Sequence, residues 1–208
     1  FEMTTLYLFF VTFLPSERLQ LAEQIRFLSI YASNLDEFYR VRVAEYRNAA
    51  EQNVKLPEVA NAATILRSIN EIVSRQISET SVILNNQIAP ALLARNVKLY
   101  LGDIPTADVH MDFIRQFFLS EVIPYLQPVL LSSRTMTFLR DNRPYFALKM
   151  YKRTREGISK TPVYAIIKLP INDLPRFVEL PESEGLRHVM FLDDIIRLNL
   201  STLFPDFH

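Results

Sequence analysis

Two long runs in which apolar residues return every three or four positions dominate the first half of the chain and restrict it to helices. Ile25, Leu28, Ala32, Leu35, Phe38, Tyr39 and Tyr46 form the first run, and Val59, Ala62, Leu66, Ile69, Val73, Ile77, Thr80, Leu84 and Ile88 form the second. Such spacing draws one apolar stripe along each helix, and a stripe is stable only when another element covers it. The connection between the runs is short, so antiparallel packing of the two helices is expected. Pro57 falls near the start of the second run, where its missing N–H would have had no partner in any case, and Pro90 is expected to break or kink the end.

Beyond Asn96 the texture changes. Val97 to Leu101, Tyr145 to Tyr151, Pro162 to Leu169 and Arg176 to Leu180 are short runs rich in branched and aromatic residues with turn signals between them, the pattern of strands. Helical segments near Asp108 to Val122 and Asp193 to Leu203 interrupt them, and Asp193 and Asp194 open the second, where negative charge suits the helix dipole. The expected fold class is α+β. An all-helical domain of antiparallel long helices covers residues 1–95, and an α+β domain covers 96–208 and reads as incomplete at its C-terminus.

Composition removes several chemistries. The 208 residues suffice for one large domain or two small ones, and 23 basic residues balance 23 acidic ones, so no global field recruits nucleic acid or basic partners. Without cysteine there are no disulfides, thiolate nucleophiles or cysteine zinc sites. His110, His188 and His208 are scattered, none with a second ligand at helical spacing, so each reads as a surface or internally satisfied side chain and no metal site is expected. The apolar run Leu6 to Leu14 is too short to span a bilayer, which takes about 20 residues, and lacks a preceding basic region. It reads as a buried strand or helix, or as a peripheral membrane contact. An intracellular location is permitted.

The candidates for chemistry are few. A phosphate cradle needs clustered glycines, and Gly102, Gly157 and Gly185 are isolated. Asp36 and Glu37 are adjacent and on a helix point about 100° apart, which does not suit paired acid and base, as with Asp193 and Asp194. Asp36 and Arg40 have the spacing of a favourable helical ion pair. Arg40 and Arg42 diverge by about 200° on a helix, so at most one could face a phosphate, and solvated arginines are commoner. Lys149, Lys152, Arg153, Arg155 and Lys160 surround Gly157 between two expected strands, either as a solvated hairpin end or as a landing strip for a polyanion. Asn34 stands apart because an amide offers both donors and an acceptor, the complement of a purine edge. The other reading of Asn34 is a capping or packing residue at a helix break around Ala32 to Leu35.

The segment Gln24 to Val43, QIRFLSIYASNLDEFYRVRV, combines helical apolar spacing with the polar insert SNLDE, as in a helix that faces a ligand or another domain. Written out to Glu45 it resembles the signature of the N-terminal domain of bacterial polyphosphate kinases of the phosphohistidine type. LLARNVKLYL, FIRQFFLSEVIPYLQPVLL, RPYFALKMY, PVYAIIKLPINDLPRFVELP and HVMFLDDIIRLNLSTLF follow in that family's order, so the resemblance runs from about residue 21 to the end. The first twenty residues depart from the aromatic-rich opening usual in the family, which reads either as an unusual N-terminus or as missing residues. The resemblance implies a cytoplasmic kinase that reversibly moves the ATP γ-phosphate onto polyphosphate through a phosphorylated histidine, with Mg2+ assisting. It implies that the helical domain covers the adenine of ATP, that Asn34 takes the base-contacting position of the SNNLDEFY-like motif, with Ser33 where many relatives have Asn, and that the head domain dimerises. The transferring residues belong to later domains in this family, so none of the three histidines inherits the nucleophile role, no catalytic residue is expected here, and the 208 residues alone are not expected to catalyse. The alternative is a non-catalytic protein-interaction or dimerisation module. Nucleic-acid binding runs against the neutral charge balance.

Overall fold

A computed structural model describes residues 20–51, 62–132, 139–140, 143–155 and 157–208. The run Leu6 to Leu14, Pro57 and Val59 lie outside the described residues. The chain divides into two compact units, residues 1–95 and 96–208.

In the first unit, helix α1 (Leu21–Phe38) passes through a wide π turn (Tyr39–Val43) into α2 (Ala44–Glu51); α3 (Ala62–Ile83) passes through a second π turn (Leu84–Ile88) into α4 (Ala89–Leu93). The Glu23 carboxylate accepts from the Gln20 N–H at 3.3 Å and helps start α1. Tyr31, Ile83 and Ile88 form the buried centre, with Leu28 and Leu35 packed on it. No break occurs around Ala32 to Leu35: Ser33 and Asn34 favour caps locally, but Tyr31 and Leu35 on either side are held in the core, and packing overrides propensity. Pro90 does not break its helix either. The π turn just ahead displaces the carbonyl that the ring would strike, and the helix runs on to Leu93 before Asn96 closes it in the left-handed region at φ 61.

The π turns also explain the burial pattern. Twelve steps of about 100° separate Tyr31 from Val43, which on a regular helix would leave them about 120° apart. Both are nonetheless buried. The extra residue taken up by the turn brings them back to within about 20° of one face. Ile114, ahead of a third π turn, and Val122, the last residue of that turn, obey the same arithmetic.

The second unit contains β1 (Val97–Leu99), α5 (Asp108–Phe117) with its π turn (Phe118–Val122) and a 3-10 turn (Ile123–Tyr125), β2 (Val129–Leu131), β3 (Tyr145–Thr154), β4 (Gly157–Lys168), β5 (Phe177–Ser183), β6 (Leu186–Phe191), α6 (Leu192–Leu198) and α7 (Leu200–Leu203). Two three-stranded sheets result. One has the order β1-β6-β5, with β1 parallel to β6 and β5 antiparallel to it; the other is an antiparallel β2-β4-β3 sheet. Ile114, Phe118, Ile167, Met190 and Ile196 are among the fully enclosed members of one continuous core between helices and sheets. Two of these strands, β2 and β6, were not expected from the sequence. β2 has three residues, too few to show alternation, and in β6 the inward positions include His188, which masks the apolar period.

Candidate functional site

Asn34 lies on the last full turns of α1, between two tyrosines that tie this helix to α3. The Tyr31 hydroxyl donates to Gln76 Oε1 at 3.0 Å in the interior, and the Tyr39 hydroxyl donates to Asn70 Oδ1 at 3.1 Å. Burial, and then neighbouring Tyr39, push the Tyr31 hydroxyl above the ordinary tyrosine value. The two ties fix the rotation of α1. Asn34 itself is half-buried, and its amide makes no hydrogen bond among the described residues, so two donors and an acceptor stay available. One helical turn to either side stand Ile30, 39% exposed, and half-buried Phe38. A polar edge between two apolar side chains is the surface complement of a flat heteroaromatic ring.

The charged neighbours are committed elsewhere. Arg40 pairs with Asp36 at 2.8 Å, as its spacing predicts, and Arg42 reaches Glu45 at 3.8 Å. Both pairs are solvated, which suits a helix surface more than a phosphate clamp.

In the second unit the fold joins two histidines that the sequence holds far apart. His110 on α5 and His188 on β6 are buried with ring centroids 4.2 Å apart. His110 Nε2 lies 3.0 Å from the Pro181 carbonyl, which can only accept, so this nitrogen carries the proton. Ser183 Oγ bridges the rings, 2.9 Å from His188 Nε2 and 3.3 Å from His110 Nε2. The Tyr100 hydroxyl lies 3.0 Å from His188 Nδ1, and burial first, then Asp103 and Glu184, push it above the ordinary tyrosine value, so it serves as donor. The arrangement stitches α5, β6 and the end of β1 together within the core. His208 lies apart and exposed, its backbone paired with Tyr151. Among the described residues no group of three or more His, Asp or Glu side chains could hold a metal ion.

The basic cluster maps to one hairpin. Lys149, Lys152 and Arg153 lie on β3, Arg155 in the turn and Lys160 on β4; none pairs with an acidic group among the described residues. Gly157, at φ +122, closes the turn in a conformation other residues rarely adopt. The sequence reading missed the cross-helix tyrosine ties and the histidine pair. Only the period-two series Tyr145, Lys149, Tyr151 carries a visible signal, of side chains sharing one face of a strand.

Known proteins match most of this chain. Residues 15–100 match the family described as polyphosphate kinase N-terminal domain, and residues 110–208 the family described as polyphosphate kinase middle domain. A polyphosphate kinase of Vibrio cholerae is 32% identical over 199 residues, which is 90% of this chain and 26% of that protein; one of Escherichia coli K12 is 28% identical over 191 residues, 90% and 27% respectively. The crystal structure of polyphosphate kinase from Porphyromonas gingivalis superposes with a TM-score of 0.84 at 32% identity, covering 98% of this chain and 30% of that one. The chain thus spans about a quarter of the length of these curated relatives. No described helix is long and apolar enough to cross a membrane.

Proposed function

Since the chain belongs to the polyphosphate kinase family, through its N-terminal and middle domains, we propose that it is the nucleotide-side portion of a cytoplasmic enzyme that reversibly transfers the ATP γ-phosphate to polyphosphate. The observation that carries the assignment of a role within that enzyme is the amide of Asn34, without a hydrogen-bond partner among the described residues, between Ile30 and Phe38. The amide NH2 meets a ring acceptor of adenine and the amide oxygen accepts from its exocyclic amine, while Ile30 and Phe38 flank the ring. Residues 96–208 contribute self-association.

In this reading the phosphoryl group passes through a histidine outside the 208 residues. His110 and His188 are sealed in the core, where a nucleotide cannot reach them. In this reading the ligands of the Mg2+ that the family implies lie outside the 208 residues. In this reading the portion binds and orients, and the reacting atoms belong to the rest of the enzyme.

Polyphosphate synthesis from labelled ATP tests the proposal. The chain, a separately supplied catalytic remainder, and the two combined are compared, and activity is expected to depend on both. No stimulation of the remainder by this chain would sink the assignment. In the combined enzyme Asn34→Ala is expected to raise the KM for ATP about tenfold, equivalent to about 1.4 kcal/mol, with kcat little changed. Unchanged KM and kcat would remove Asn34 from the site.

A further inference from the structure

We propose that the solvent-facing side of the β2-β4-β3 sheet is a second polyanion site, which holds the polyphosphate chain itself; the identity of the polyanion rests on the family reading above. Charge is segregated in this chain. Residues 143–168 carry seven basic side chains against one acidic, Glu156, although the whole chain balances 23 against 23. The register shows where part of that charge goes. Lys149 lies opposite Tyr164, Tyr145 opposite Lys168, and Arg153 opposite Ile158, and directly opposed residues share a face. The alternate residues Phe146, Leu148, Met150, Ala165 and Ile167 point into the core. The outer face therefore presents exposed Lys149 and Lys168 with Tyr145, Tyr151 and Tyr164, alongside Ala147 and Ile166, and exposed Arg153 follows with Ile158 beyond a register shift after Tyr151.

None of the three cations has an acidic partner among the described residues. Unneutralised like charge on one sheet face costs stability, and a polyanion removes that cost. The tyrosine hydroxyls add donors: Tyr145 Oη accepts from the Arg140 N–H at 3.1 Å and keeps its own proton to give. From Tyr145 to Arg153 the strand extends roughly 26 Å at about 3.3 Å per residue, long enough to follow an extended chain of phosphates.

Two other occupants fit less well. Single-stranded nucleic acid needs open ring faces for stacking, and Lys149 Nζ stands 5.7 Å over the Tyr151 ring, where a base would lie. A second copy of the same face would set cation against cation.

The test is the affinity of the 208-residue chain for fluorescently labelled long-chain polyphosphate as a function of salt. The triple variant Lys149→Gln, Arg153→Gln, Lys168→Gln is compared with Arg26→Gln, Arg67→Gln, Arg75→Gln, which removes equal charge from the helical unit, and circular dichroism checks the fold of each. The sheet variant is expected to bind at least tenfold more weakly and to lose about 2 from the slope of log affinity on log salt, at about 0.7 per phosphate contact, while the helical variant changes little. No binding by the unaltered chain at low salt, equal losses in both variants, or tighter binding of oligo(dT) than of polyphosphate of equal charge would each overturn the proposal. So would intact polyphosphate binding with a changed oligomeric state in the sheet variant, which would give the face to a second copy. Asn34→Ala is expected to leave polyphosphate binding unchanged, so failure at the sheet leaves the adenine assignment standing, and the reverse holds too.

Discussion

The helical unit and the sheet-bearing unit solve the problem of cohesion differently. Among the described residues the first buries six apolar side chains, of which Tyr31, Ile83 and Ile88 form one cluster, and leaves Ile25, Ile72, Ile77 and Val82 about half-exposed; the second encloses sixteen in one cluster. Where apolar burial is thin, named polar ties take a larger share: Tyr31 to Gln76 and Tyr39 to Asn70 set how α1 and α3 face each other. Apolar area is non-directional, whereas a hydrogen bond fixes rotation. A helix that presents one amide outward needs its rotation fixed, and a sheet that presents a whole face does not.

The widest separation between the units is expected on truncating the larger core. Ile196→Ala removes buried methylenes from a site with no exposure and is expected to cost about 2–5 kcal/mol in denaturant unfolding of the second unit. If the midpoint moved no further than for Ile77→Ala, half-exposed on α3, the contrast between the units would collapse. Next comes Tyr31→Phe, which leaves the buried Gln76 amide without its donor and is expected to cost about 1–3 kcal/mol in the helical unit. An effect below about 0.5 kcal/mol would mean that the tie is not what fixes α1.

Alkaline pH sharpens the comparison, because each unit holds one tyrosine above the ordinary value of 10.0: Tyr31 through burial and Tyr39, Tyr100 through burial and the carboxylates of Asp103 and Glu184. The unfolded chain releases these protons near pH 10 while the folded chain retains them. Stability is therefore intact below pH 10 and declines as pH rises from there through the raised folded values. Thermal melts between pH 9 and 11.5 are expected to show the decline, and Tyr100→Phe to lessen it for the second unit alone. The smallest effect belongs to Arg40→Ala, which removes a solvated ion pair and is expected to cost about 0.3 kcal/mol, a loss that added salt should erase.

Much of the α+β class was legible because α1, α3, β3, β4 and β5 each carry a clean apolar period of one kind. What escaped has definite causes. His188 occupies an inward position of β6 and reads as polar until Tyr100 and Ser183 are seen to satisfy it. His110 reaches it only through the packing of α5 against the β5-β6 hairpin, a contact between residues 78 positions apart that no local pattern encodes. Ser33 and Asn34 suggested a cap because the residue types are judged locally, while the helix is held by Tyr31 and Leu35 around them. The proposed role of Asn34 as a base reader rests on family resemblance, since a single amide on a helix has no period to announce it.

The three π turns bear on how such chains change in length. Each absorbs one residue that the regular helix has no place for, and each lies between buried positions whose facing it preserves. A relative shorter by one residue at Tyr39 to Val43 would simply run as ordinary helix and keep the same side chains inward. A single-position deletion there is expected to be structurally silent, because eleven regular steps leave Tyr31 and Val43 about 20° apart.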